Sequence, residues 1–130
     1  MKNEVMQVFE RYTEALSRGD LEAVFETMSD NILWHMGGES PLSGTVMGKK
    51  ALGERLGEFV KRSDGTFRVI TNWAASNDCF VAASVVSLAE RGDERLKNPG
   101  MDLFKIENGK IQEVWTFSEH QAAEDKFWDI

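Results

Sequence analysis

The sequence predicts an α+β domain in which helices from the first half of the chain pack on one curved sheet built from the second half. Three observations predict it. Apolar residues recur at helical spacing up to Arg62, whereas after Ser63-Asp64-Gly65 they fall in long runs rich in β-branched and aromatic residues. Asn108-Gly109, set between two such runs, is the strongest short-range signal for a tight hairpin turn. Helices followed by antiparallel hairpins, rather than alternating with strands, is the α+β order. Three helices against one curved mixed or antiparallel sheet make a cone, whose open end is a natural apolar pocket.

Residues 3 to 18 carry Val5, Phe9, Tyr12 and Leu16 at i, i+4, i+7 and i+11, the stripe of an amphipathic helix. Gly19 ends it, and Asp20 can cap a second helix with Leu21, Val24, Phe25 and Met28 on its apolar face. Ser29-Asp30-Asn31 breaks the pattern before a short strand, Ile32-Leu33-Trp34-His35-Met36. Glycines and Pro41 make a loop of residues 37 to 48. A third helix over 49–62 shows Leu52, Leu56, Phe59 and Val60. Four strands are expected at 66–74, 79–90, 94–107 and 110–119, the third interrupted or bulged at Asn98-Pro99-Gly100 because proline cannot donate to a ladder. Residues 121 to 128 can add a closing helical turn ending in Phe127-Trp128. With no linker or repeat, the 130 residues read as one domain.

Composition narrows the function. A net charge of −7 disfavours nucleic acid and anionic membrane surfaces. No apolar run approaches the ~20 residues needed to span a bilayer, and the N-terminus lacks a signal peptide's apolar core, so a cytoplasmic protein is expected. Cys79 has no partner in the chain, and no His pair or Cys–His cluster has the spacing of a metal site. Neither a metal nor another cofactor is expected.

Strand alternation identifies the sharpest functional clue. Lys105 and Glu107 belong in water, which turns Asp102, Phe104 and Ile106 to the buried face. A carboxylate there is costly unless it is paired, hydrogen-bonded or protonated. It either pairs with a basic residue such as Arg68 or serves a pocket. Tyr12, on the helix stripe facing the sheet, either bonds to backbone or joins Asp102 as a second donor to a ligand oxygen. Asn98 shares the parity of Asp102 and can orient a polar group, unless it is only turn chemistry beside Pro99.

The run Arg11-Tyr12-Thr13-Glu14-Ala15-Leu16-Ser17-Arg18-Gly19-Asp20-Leu21-Glu22-Ala23 resembles the opening of the ketosteroid isomerase and SnoaL-like polyketide cyclase families, members of the nuclear transport factor two superfamily. The resemblance continues through Ser29-Asp30-Asn31, Gly44 to Lys49, and Met101 to Ser118. Trp34-His35-Met36-Gly37 and Asp125-Lys126-Phe127-Trp128 are similar to the SnoaL-like branch. It implies a cystatin-like α+β cone, commonly homodimeric, with proton-transfer chemistry on a carbonyl-bearing apolar molecule: isomerisation, cyclisation or dehydration. In the isomerases a Tyr and a protonated Asp hold the developing enolate oxygen; these fall on Tyr12 and Asp102. The proton-moving Asp falls on or beside Met36, which cannot take a proton. His35 is then the nearest substitute, provided a bulge or the opposite register turns it to the pocket, and His120 is the second choice. Trp34, Met36, Phe104, Val114 and Thr116 are expected to line the wall. A non-catalytic binding or dimerisation module of the same fold is the alternative.

The opposite face of the last hairpin carries Met101, Leu103, Trp115 and Phe117, which something must cover. A two-fold partner sheet can do so, and so can the chain's own Phe127 and Trp128.

Overall fold

The computed structural model describes residues 3–129. Among these, four helices and six strands follow in the order α1 (Glu4–Ser17), α2 (Leu21–Glu26), β1 (Met28–Met36), β2 (Gly44–Met47), α3 (Lys49–Arg62), β3 (Arg68–Ser76), β4 (Phe80–Arg91), β5 (Glu94–Glu107), β6 (Lys110–Ser118) and α4 (Gln121–Trp128). None of these helices is long and apolar enough to cross a membrane. Local chemistry sets the helix starts. Asn3 Oδ1 accepts from the Met6 N–H at 2.8 Å, and Asp20 Oδ1 from the Ala23 N–H at 3.1 Å.

The strands form one sheet in the order β2-β1-β6-β5-β4-β3, antiparallel throughout except for the parallel pair β1–β6. Register shifts in β3 between Thr71 and Trp73, and at Lys105/Ile106 in the β5–β6 pair, interrupt its regularity. Such shifts bend strands and increase twist, which suits a sheet curling around helices. Asn108 and Gly109 both adopt positive φ, 55° and 72°, as a two-residue hairpin turn of primed type requires.

Four details differ from the sequence reading. Met28, expected on the second helix, begins β1. Ser29-Asp30-Asn31 is strand rather than a break, its irregularity taken up by a register shift between Met28 and Leu33. Residues 44–47, expected as loop, form β2 on the edge of β1. No interruption occurs in β5 at Pro99, which pairs with Val86 in unbroken register. The Pro99 carbonyl accepts from the Glu119 N–H, so the missing donor points toward β6 where that strand has already ended.

Two apolar clusters fill the concave side. One joins Val8, Phe9 and Tyr12 of α1 to Ile32, Trp34, Val81, Phe104, Ile106, Ile111 and Val114. The other gathers Leu42, Phe59, Ala89, Leu96, Phe127 and Trp128. Trp128 meets Phe59 edge-on, with ring centroids 4.9 Å apart. The tail therefore closes the concave side and leaves the convex face bare.

Candidate functional site

A cavity of about 150 Å³, open on one side, lies between the two clusters. Tyr12, Val24, Met28, Trp34 and Val85 border it on one side, and Met36, Leu56, Phe59, Phe67 and Trp128 on the other. Its wall is mostly apolar. Among the described residues, the ionisable side chains on it are Tyr12, Asp102 and Glu124.

Asp102 arrives there by strand parity. In β5 the inward row is Asn98, Gly100, Asp102, Phe104 and Ile106, and Asp102 lies opposite Ala83 of β4 and Thr116 of β6. Gly100 belongs to the wall because β6 passes too close for anything larger: a Cβ there would overlap the Phe117 carbonyl oxygen. Tyr12 approaches from α1, its ring 5.3 Å from that of Phe104 and 6.4 Å from that of Trp34.

Neither Tyr12 nor Asp102 forms a hydrogen bond or ion pair within the described residues. Arg68, the pairing partner considered for Asp102, instead donates to the Thr66 carbonyl at 3.1 Å. No buried side-chain oxygen or nitrogen among the described residues lacks a partner, so the oxygens of Tyr12 and Asp102 open onto the cavity. Burial, with a smaller contribution from the charge of Glu124, pushes the Asp102 carboxyl from its ordinary 3.8 up to about 7. Burial, with the charge of Asp102 added, holds the Tyr12 phenol far above its ordinary value. Tyr12 is therefore a neutral donor at physiological pH, and Asp102 becomes a second donor whenever it is protonated.

Glu124 was not foreseen. It stands on α4, where Glu124, Phe127 and Trp128 share a face at i, i+3 and i+4, a spacing that could have revealed it. Asn98 Nδ2 donates to Glu124 Oε2 at 2.5 Å. Asn98 Oδ1 in turn accepts from Ser118 Oγ at 2.9 Å and from the His120 N–H at 3.3 Å. Asn98 is thus a cavity residue and a buried clamp between β5, β6 and α4, beyond turn chemistry. Burial raises the Glu124 carboxyl above its ordinary 4.5, aided by the charge of Asp125 and opposed by the hydrogen bond from Asn98.

Trp34, Met36 and Thr116 line the cavity, and Thr116 Oγ1 donates to the His35 carbonyl at 3.2 Å. Four expected residues do not reach it. Phe104 and Val114 face inward but lie one step deeper, sealed in the core behind Tyr12 and Trp34. His120 is exposed at the start of α4. His35 points to the convex face, because β1 stays in register there and pairs His35 with Thr45 and Trp115. Its ring bonds Thr45 Oγ1 at 2.8 Å and Glu113 Oε2 at 2.5 Å, and stacks on Trp115 with centroids 5.4 Å apart. His35 is therefore not available to a ligand in the cavity. Among the described residues, no three His, Cys, Asp or Glu side chains come together in a way that could hold a metal ion.

Solved structures share the whole architecture. A protein of unknown function with a cystatin-like fold from Xanthomonas campestris is 32% identical, covers 99% of this chain and 100% of its own, and superposes with a TM-score of 0.91. Bal32a, from a soil-derived mobile gene cassette, is 26% identical over 97% of this chain and 99% of its own, with a TM-score of 0.90. TerC, co-crystallised with polyporic acid, is 12% identical over 96% and 98%, with a TM-score of 0.84, a likeness of fold alone. No curated protein matches the chain. The model of the SnoaL-like domain matches residues 9–114, most of the chain, and with it the cone, the hairpin order and the inward-facing cavity converge: the chain belongs to the SnoaL-like domain family.

Proposed function

We propose that the cavity binds a small, largely apolar molecule carrying a carbonyl or enol oxygen, and that the protein performs cofactor-free proton transfer on it, as an isomerase, cyclase or dehydratase. One observation carries this reading: Tyr12 and Asp102 open onto the same apolar cavity with no partner among the described residues. Two donors held ready in a water-poor site favour an oxygen that gains negative charge, and each such donor can be worth about 3–4 kcal/mol to a developing oxyanion. The apolar wall supplies affinity through burial of the rest of the ligand. TerC, co-crystallised with polyporic acid, is consistent with a small-molecule site in this fold.

2-Naphthol, a planar mimic of an enol, tests the reading by its fluorescence on titration. Tyr12→Phe and Asp102→Leu should each weaken its binding by about 3–10-fold, the range of one net hydrogen bond. For the wild type, affinity should fall as pH rises through about 7, because Asp102 then ionises and stops donating. Equal binding by all three proteins at every pH would overturn it.

For the convex face we propose a second copy as the cover. Trp73, Ser84, Met101 and Phe117 form one cross-strand row, and Ala82, Leu103 and Trp115 the next. Trp73 and Phe117 are 58% and 57% exposed. The tail that could have covered them packs on the other side.

A further inference from the structure

We propose that Glu124 is the proton-moving group of this cavity, held for the task by Asn98; the assignment rests on the ligand-oxygen reading of Tyr12 and Asp102. Met36, on the cavity wall at the end of β1, cannot take a proton, and His35 faces away. Of the ionisable side chains on the cavity wall, Tyr12 stays protonated and Asp102 serves as a donor, which leaves Glu124 as the acceptor. It comes from a different element than the two donors: α4, rather than α1 and β5. A base and a pair of oxyanion donors must approach a ligand from different directions, since the proton leaves carbon while charge collects on oxygen.

The support around Glu124 is specific. Asn98 is 4% exposed and its amide group is fully directed: Nδ2 to the Glu124 carboxylate, Oδ1 to Ser118 and the His120 N–H. Further anchors fix α4 itself. Glu39 N–H donates to Asp125 Oδ2 at 3.0 Å, and Arg91 Nη2 donates to the Phe127 carbonyl at 2.7 Å. Gln121 Nε2 donates to the Gly37 carbonyl at 3.3 Å. The carboxylate is thus positioned by packing rather than left on a mobile tail.

In the step, the Glu124 carboxylate takes a proton from the carbon next to the ligand's carbonyl. The C–H pair becomes the new C–C π bond, and the carbonyl π pair moves to oxygen, met by Tyr12 and Asp102. Glu124 then returns its proton to another carbon, or to the oxygen of a departing hydroxyl, which leaves as water. Nothing is oxidised or reduced.

5-Nitrobenzisoxazole reads this chemistry without knowledge of the natural substrate: a base removes its carbon-bound proton, the N–O bond breaks, and a coloured cyanophenoxide forms. The wild type should accelerate the elimination, and Glu124→Gln, which can still accept from Asn98, should lose about 100-fold or more in kcat/KM. Glu124→Asp should recover part of that loss. Binding of 2-naphthol by wild type and Glu124→Gln is compared at about pH 5, where Asp102 is protonated in the wild type, so that the donor pair is read apart from the base. Side-chain carboxyl NMR of the wild type should place the rising limb of the pH–rate profile at the titration of Glu124, a coincidence that a merely structural role would not produce. If 2-naphthol binds but Glu124→Gln keeps the wild-type rate, the assignment of the base is wrong and the binding reading stands. If elimination depends on Glu124 while 2-naphthol ignores Tyr12 and Asp102, the base stands and the donor pair falls. A wild type no faster than Glu124→Gln also overturns the assignment.

Discussion

Asp102 is the residue whose ionisation the fold opposes, and that has a measurable consequence for stability. Its pKa is about 7 in the folded protein and close to the ordinary 3.8 when unfolded. Between those values the folded state holds one proton more than the unfolded state, so stability declines as pH rises through this window. Below it both states are protonated and the residue contributes no difference. Asp102→Asn removes the ionisation while keeping the shape. Denaturant unfolding should find the variant more stable than wild type by on the order of 2–4 kcal/mol at pH 8, and nearly equal to it at pH 4. Asp102 was legible because Lys105 and Glu107 mark the opposite parity on its strand. His35 was not, because Trp34 and His35 sit side by side in a short run with equal claims to the core. The partners that decide the matter, Glu113 and Thr45, lie on strands that no local pattern connects to it.

Among the elements, the β5–β6 hairpin does most to shape the cavity wall. The turn, the alternation and both strand limits could be read almost to the residue, since Asn108-Gly109 admits few alternatives. Gly100 is its hidden constraint. Gly100→Ala should push β6 away from β5 at the cavity edge and destabilise the protein by about 1–3 kcal/mol, as overpacking does elsewhere. A thermal melt checks the loss, and unchanged stability would mean the strands can separate freely there. The same substitution at Gly57, where nothing lies near a Cβ, should be neutral or slightly stabilising and serves as the control. β2 escaped notice because four residues with only Val46 buried carry too little pattern against a background of glycines. α4 was expected only as a turn, since its first residues are polar and its two anchors come at the end.

At the scale of the whole molecule, the helices and the cone could be read from the order of helical and alternating segments, whereas the sheet order could not. Sequence pattern says which face of a strand is apolar, not which strand lies beside it. The convex face is the place where the whole molecule makes its own prediction. Trp73→Lys combined with Met101→Lys should convert a dimer to a monomer in light scattering, while 2-naphthol binding, on the concave side, is retained. A wild type that is monomeric at high concentration would remove the partner-sheet proposal and leave the cavity untouched.

β6 lies between β5 and β1, and is the one strand that joins the early hairpin β1–β2 to the rest of the sheet. During synthesis, then, the early hairpin cannot join the sheet until β6 has left the ribosome. Pairings this distant along a polypeptide are slow to nucleate. A stalled nascent chain ending before Lys110 should remain protease-sensitive in β1 and β2. One ending after α4 should acquire resistance in a single step.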